Sequence, residues 1–146
     1  AARCVSTGDK IIIMAYAQWV SITVKAIGFD CKINKLSLEW GKLYRNNDKD
    51  KEIQASEINN TIIKNGASYT FSSCGRDSSA SGTEGRFSVF DGDLEIAKFY
   101  WDCPWGSKTN KFQYEKTAGD NYMIEVSDYS HDSGAIGNVS VKIAKI

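Results

Sequence analysis

The chain of 146 residues carries 18 Lys and Arg against 18 Asp and Glu, so no net field draws it to nucleic acid or to anionic lipid. Its length allows one domain with a core large enough to fold without staples, and its longest apolar runs, such as Ile11 to Ala17, fall far short of the roughly 20 residues of a spanning helix. Four cysteines, at 4, 31, 74 and 103, lack the Cys-x-x-Cys spacing of a zinc or redox site and are too sparse for a disulfide-built scaffold, so no metal and no cofactor is expected.

In chain order, the opening Ala-Ala-Arg reads as a processed or trimmed start that leaves the compartment open. Residues 15–27, AYAQWVSITVKAI, set Tyr16, Gln18, Val20, Ile22 and Val24 against Ala17, Trp19, Ser21, Thr23 and Lys25. That alternation predicts a long strand with one mostly apolar face. Gly28-Phe29-Asp30 turns it. Residues 32–44, KINKLSLEWGKLY, predict a second strand in which Asn34, Leu36, Leu38 and Trp40 share a face, and Gly41 marks a bulge or a close backbone approach. The polar run RNNDKDKE, 45–52, reads as a solvated loop, without the ligand spacing and glycine of an EF-hand.

Further strands are predicted at 60–65, 67–74, 85–91, 94–103, 111–116, 121–128 and 136–146, punctuated by turn formers such as Asp91-Gly92-Asp93. The Gly- and Ser-rich stretch 74–86 follows no strand-to-helix pattern and reads as a flexible loop, not a nucleotide cradle. The sum is an all-β chain: a single-domain antiparallel β-sandwich, with a partly closed barrel as the alternative. Of the three possible cysteine pairings, Cys4 with Cys31 is favoured because both lie near the amino-terminal strand, while Cys74 and Cys103 sit in apolar stretches where free thiols pack well.

Catalysis finds little support. The single histidine, His131 in YSHDSGAIG, lacks a local nucleophile elbow, and the carboxylates are mostly interleaved with lysines along exposed faces. No catalytic residue is assigned. A hydrolase using His131 is kept only as a rival. Asn59-Asn60-Thr61 and Asn138-Val139-Ser140 fit the glycosylation pattern, which matters only in a eukaryotic secretory route.

The densest chemistry lies in FYWDCPWGSKTN, residues 99–110. Strand alternation sends Phe99, Trp101 and Cys103 to one side, suited to a core, and Tyr100, Asp102 and Trp105 to the other. That second set, beside Lys108, Thr109 and Asn110, has the composition of a pocket for a phosphocholine or phosphoethanolamine headgroup. Asp102, Tyr100 and Trp105 suit the ammonium, and Lys108 suits the phosphate. Aromatic faces beside polar loops also suit sugars, so a lectin-like glycan-binding module stands as the alternative.

AYAQWV (15–20), WGKLY with the charged run after it (40–52), CGRDSSASGTEG (74–85), FYWDCPWGSKTN (99–110) and DSGAIG (132–137) resemble, in this order and spacing, the aegerolysins. The resemblance covers roughly 14–145 and implies a non-enzymatic β-sandwich that recognises membrane sphingolipids, either sphingomyelin with cholesterol or ceramide phosphoethanolamine. It also implies action at the outer face of target membranes, secreted or cell-associated. There the protein would be the lipid-recognition half of a two-component cytolysin whose pore-forming partner is of the membrane-attack-complex/perforin (MACPF) type.

By the same resemblance the lipid-contacting positions fall on Trp19, Trp40, Tyr100, Trp101, Trp105 and Lys108, with Arg76 as a further candidate that a structural ion pair explains equally well. Residues 1–13 are an extension ahead of a 14–146 domain; tied by a cysteine, they are expected to stabilise an edge strand. Ser81 stands where some relatives carry an acidic residue, which leaves cholesterol dependence open.

Overall fold

In the computed structural model, which describes residues 16–77, 79–106, 109–132 and 134–146, the first strand keeps its alternation side chain by side chain. β1 (Trp19–Ile27) buries Val20, Ile22, Val24 and Ala26 and turns Trp19, Ser21, Thr23 and Lys25 toward solvent. After it come β2 (Cys31–Trp40), β3 (Lys42–Arg45), β4 (Asp48–Ile53), β5 (Thr61–Ile63), β6 (Ser68–Cys74), β7 (Thr83–Asp91), β8 (Leu94–Cys103), β9 (Lys111–Lys116), β10 (Tyr122–Val126) and β11 (Gly137–Lys145).

These strands form two sheets, of order β10-β11-β1-β6-β3-β4 and β5-β2-β7-β8-β9. β1 and β11 run parallel, and the other neighbours pair antiparallel. The architecture is therefore an all-β sandwich. Its interior is aromatic at the centre: Phe87 and Phe99 stack at 4.8 Å between centroids, and Phe71 meets Phe87 edge-on at 5.0 Å.

Two expectations are corrected. The single strand expected over 32–44 is two strands in different sheets, because the chain crosses from β2 to β3 at Gly41. Gly41 has φ of +94°, and a Cβ there would stand 2.5 Å from the Cys74 carbonyl oxygen and 2.8 Å from Thr83 Cβ. Only glycine fits both the left-handed backbone and the close approach. The loop expected over 45–52 is a hairpin. Asn46 and Asn47 take φ of 57° and 55°, the two-residue turn that matches strand twist, and β4 follows as a heavily charged edge strand. Charge concealed it, since an edge strand needs little apolar surface.

Among the described residues no helix is long and apolar enough to cross a membrane. The expected extension over residues 1–13 lies outside the described residues.

Candidate functional site

The site begins with two irregularities in β2. Asn34 pairs with Ser88 and Ser37 with Arg86, so Lys35 and Leu36 together face Phe87, and Lys35 takes φ of 56°. The backbone of Leu36 is not abandoned. Asn59 supplies a side-chain substitute for the ladder: its Oδ1 accepts from Leu36 N at 2.8 Å and its Nδ2 donates to Leu36 O at 3.3 Å. A second slip follows, with Leu38 opposite Gly85 but Trp40 opposite Glu84. Leu36 and Leu38 therefore pack on the core, while Trp40 emerges on the outer face, 58% exposed. The shared face expected for Trp40 and the leucines is corrected by these two bulges.

From Trp40 a transverse row crosses four strands. Trp40 stands opposite Glu84, Glu84 opposite Asp102, and Asp102 opposite Lys111. The four line a groove of about 550 Å³ whose walls include Ser81, Gly82, Pro104, Trp105 and Thr109. The two walls meet at Gly82, where a Cβ would lie 1.8 Å from the Cys103 carbonyl oxygen, so only glycine lets the 80–82 segment lie across the end of β8. The groove thus has indole faces and two carboxylates toward one end and an ammonium at the other.

Two carboxylates directly opposite each other in a ladder repel. Tyr100 offsets part of this by donating its hydroxyl to Glu84. Burial, followed by that hydrogen bond, pushes the Tyr100 phenol upward, so it remains a donor. On its other side the Arg86 guanidinium carbon lies 5.8 Å from the Tyr100 ring centre.

A buried polar network holds Pro104, just after β8, and Asn110, just before β9. Asn110, 1% exposed, donates its amide to the carbonyl oxygens of Ser130, Asp132 and Gly134 at 3.0, 2.6 and 3.2 Å. Its backbone N–H donates to His131 O at 3.0 Å. Cys103 Sγ donates to Gly134 O at 3.2 Å. With its amide oriented to donate, Gln18 Nε2 reaches Pro104 O at 3.1 Å and Gly134 O at 2.9 Å. Pro104 and Asn110 are therefore tied to Gln18 just ahead of β1 and to the backbone of Ser130, His131, Asp132 and Gly134, which fixes their position as a packed support shell does.

Of the residues expected at a site, Trp40, Asp102 and Trp105 converge on this groove. Tyr100 lies in the next row and reaches the groove only through Glu84; its ring lines a neighbouring depression. Trp101 is corrected to a core residue, because alternation turns it inward, where it is 0% exposed and its indole N–H donates to Thr83 Oγ1 at 3.1 Å. Trp19 is on the outer face of the other sheet, with the Lys49 ammonium 5.5 Å from its ring. Arg76 makes a two-pronged pair with Glu52, at 2.9 and 2.7 Å, close to β4 and not in the groove. The Glu52 carboxyl is held below its usual range chiefly by that hydrogen bonding.

Lys108 and Cys4 lie outside the described residues, as does the Cys4 to Cys31 pairing. Cys31 is fully buried, and burial pushes the pKa of its thiol up to about 12. His131 stacks on Tyr129 at 4.1 Å with Nε2 3.2 Å from Asp128. Of the two glycosylation motifs, Asn59 has its amide committed to Leu36, and Asn138 is exposed on β11.

Sequence reasoning missed Glu84 and Lys111. Each stands at an outward position of a period-two strand, which was legible, but membership of one row needs the register between strands.

Comparison with known proteins gives one consistent answer. The aegerolysin family profile matches residues 17–146. Ostreolysin A6 of Pleurotus ostreatus is 44% identical over 138 residues, covering 90% of this chain and 98% of that protein. Asp-hemolysin of Aspergillus fumigatus is 38% identical over 135 residues, covering 91% and 96%. Among solved structures, IP-1A from Alcaligenes faecalis superposes with a TM-score of 0.87 at 43% identity, covering 93% of this chain and 96% of that one.

Proposed function

Because the chain belongs to the aegerolysin family, we propose that it is a membrane lipid-binding protein whose Trp40–Glu84–Asp102–Lys111 groove receives a zwitterionic headgroup. The observation that carries this reading is the row itself. It sets an indole and two carboxylates, which suit an ammonium, on strands neighbouring a lysine that suits a phosphate, the charge order of phosphocholine and phosphoethanolamine. Trp40 and Trp105 border the groove, and indoles are side chains that settle between headgroups and acyl chains, which supports a membrane-facing role for this rim. Lys108, three residues after Trp105, is the second phosphate ligand in this reading.

The lipid is a sphingolipid of the outer leaflet, either sphingomyelin with cholesterol or ceramide phosphoethanolamine, and the protein acts there as a binder, not as an enzyme. Similarity to proteins named ostreolysin and hemolysin supports a lytic outcome. We assign the pore itself to a MACPF partner recruited by the membrane-bound protein, since many weakly held copies on one surface act multivalently.

Liposome pelleting tests the headgroup. Vesicles of sphingomyelin with cholesterol, ceramide phosphoethanolamine with cholesterol, and phosphatidylcholine alone should differ in the protein they bring down. Equal pelleting by all three defeats headgroup selection. Dye release from the binding vesicles, with and without a MACPF protein, tests the division of labour; release by this chain alone defeats it.

A further inference from the structure

The outer face of the six-stranded sheet carries a hollow of about 390 Å³, lined by Trp19, Ser21, Tyr44, Asn47, Lys49 and Asn138. Register gathers most of it. Tyr44 stands opposite Ser72, Ser72 opposite Ser21, and Ser21 opposite Asn138, one row across β3, β6, β1 and β11. The Asn46-Asn47 turn then folds β4 back on β3 and brings Asn47 and Lys49 beside that row. Gln18, the residue before Trp19, reaches Pro104 O, so the hollow lies toward the end of the sandwich that carries Trp105, on the sheet opposite the groove.

Lys49 is the single charged residue of this lining. Its ammonium sits 5.5 Å from the Trp19 ring centre and donates to Tyr16 O at 2.6 Å, which leaves two of its three N–H groups for a ligand. Among the described residues no carboxylate comes within 4 Å of it. The two nearby on β4 are engaged elsewhere: Asp50 accepts from the Tyr16 hydroxyl, and Glu52 is held by both prongs of Arg76. Burial lowers the Lys49 pKa, as it does for an ammonium that has lost water without gaining a counter-charge. The remaining lining is neutral and rich in donors. Asn47 and Asn138 are exposed amides, and Ser72, bonded to Ser21 at 2.9 Å, also reaches the Tyr44 hydroxyl. With Ser72 donating, the Tyr44 O–H is left to donate into the hollow, and burial pushes that phenol up to about 12, so it keeps its proton. The ammonium of a zwitterion finds no carboxylate in such a lining. A phosphate monoester, with about two negative charges and three terminal oxygens, fits an ammonium ringed by neutral donors.

We infer that this hollow, centred on Lys49 and walled by Trp19, Tyr44, Asn47 and Asn138, is a binding site for a phosphate monoester, separate from the headgroup groove. The site goes beyond the headgroup reading and stands without it, because Trp40, Glu84, Asp102 and Lys111 take no part in it. A lipid headgroup and a free phosphate ester share this chemistry, and vesicles separate the two.

The test is NMR titration of the whole protein with inorganic phosphate, glycerol 3-phosphate and glycerophosphocholine. The first two should bind with a Kd on the order of 1 mM and shift the Trp19 indole N–H and the amides of Ser21 and Asn138, while glycerophosphocholine leaves those signals in place. Lys49→Gln should weaken that binding about tenfold, and so should Asn138→Asp, which sets a carboxylate at an exposed position of the lining. Vesicles of phosphatidylcholine alone, with phosphatidic acid, and with phosphatidylglycerol identify the source. Extra pelleting with phosphatidic acid only, lost in Asn138→Asp, assigns the monoester to a lipid; equal pelleting by all three, with the phosphate shifts retained, assigns it to a free ester. Signals unmoved at about 20 mM phosphate overturn the inference. So do shifts confined to Asp102 and Lys111, equal shifts with glycerophosphocholine, an equal gain in pelleting with phosphatidylglycerol, or unchanged affinity in both variants.

Discussion

Trp40 and Glu84 face each other across the β2–β7 ladder only because the register slips by one residue between Leu38 and Trp40. An uninterrupted strand would have kept Trp40 in step with Leu36 and Leu38 and sent it to the core. The slip costs regular ladder bonding at one point and gains an outward indole at the rim of the groove.

Trp40→Ala should accordingly separate binding from folding. The side chain is 58% exposed, so the urea midpoint should move little, by about 0.5 kcal/mol or less in stability. Binding to sphingolipid vesicles should weaken by about 1–3 kcal/mol if the indole is an anchor. Intrinsic fluorescence reads the first in a urea titration and the second in a vesicle titration, and unchanged binding removes Trp40 from the site.

Asp102→Asn and Lys111→Ala probe the carboxylate and the ammonium that stand next to each other in the row. Each should weaken binding of a zwitterionic headgroup by about 1–3 kcal/mol through loss of a charge-assisted contact. Soluble headgroup fragments discriminate the two: phosphate alone should lose affinity only with Lys111→Ala, and ethanolamine alone only with Asp102→Asn. The opposite pairing reverses the proposed orientation.

Asn59→Ala tests what pins the first bulge. Removing the amide leaves the N–H and the carbonyl of Leu36 without their partner, a loss of about 1–3 kcal/mol in denaturant unfolding. Hydrogen exchange at Leu36 should accelerate more than at Val24, which lies in the other sheet. Equal acceleration at both would mean that Asn59 supports the whole fold and not this bulge.

The Tyr122–Asp91–Lys145 cluster at the opposite end of the sandwich predicts a pH dependence of stability. The Asp91 carboxylate accepts from Tyr122 at 2.7 Å and from Lys145 at 2.9 Å, and these bonds hold its pKa below the ordinary aspartate value. A lowered folded pKa means the contribution is fully present above the unfolded value of about 3.9 and disappears as pH falls through the folded value. Asp91→Asn should therefore be less stable than the parent by about 1 kcal/mol near neutral pH, and the two unfolding curves should converge at acid pH. A constant difference down to the acid limb would contradict the assignment.

His131→Ala should leave vesicle binding and any lytic activity unchanged, because its ring is engaged with Tyr129 and Asp128 and not with the groove. Loss of turnover of a lipid substrate in that variant would restore the hydrolase rival.

How much was legible is clearest along β8. Alternation alone assigns Phe99, Trp101 and Cys103 inward and Tyr100 and Asp102 outward, and the structure agrees at every one. Extending a surface role to Trp101 through family likeness failed where alternation was right. β4 went unseen because its hairpin depends on two asparagines with positive φ and on an edge position that tolerates charge, neither of which leaves an apolar pattern.

Alternation along the chain was enough to fix which side chains of β1 and β8 point inward and that the chain is all-β, because side-chain direction along a strand repeats every two residues and needs no partner. The folded chain alone decided for two sheets over a partly closed barrel, which outward residues share a row, that Trp40 belongs among them, and that Tyr100 stands between two hollows. Those outcomes rest on register, and register is a relation between strands far apart in the chain. It is set here by bulges, by the Asn59 clamp and by the Gly41 crossing, so no single strand contains it.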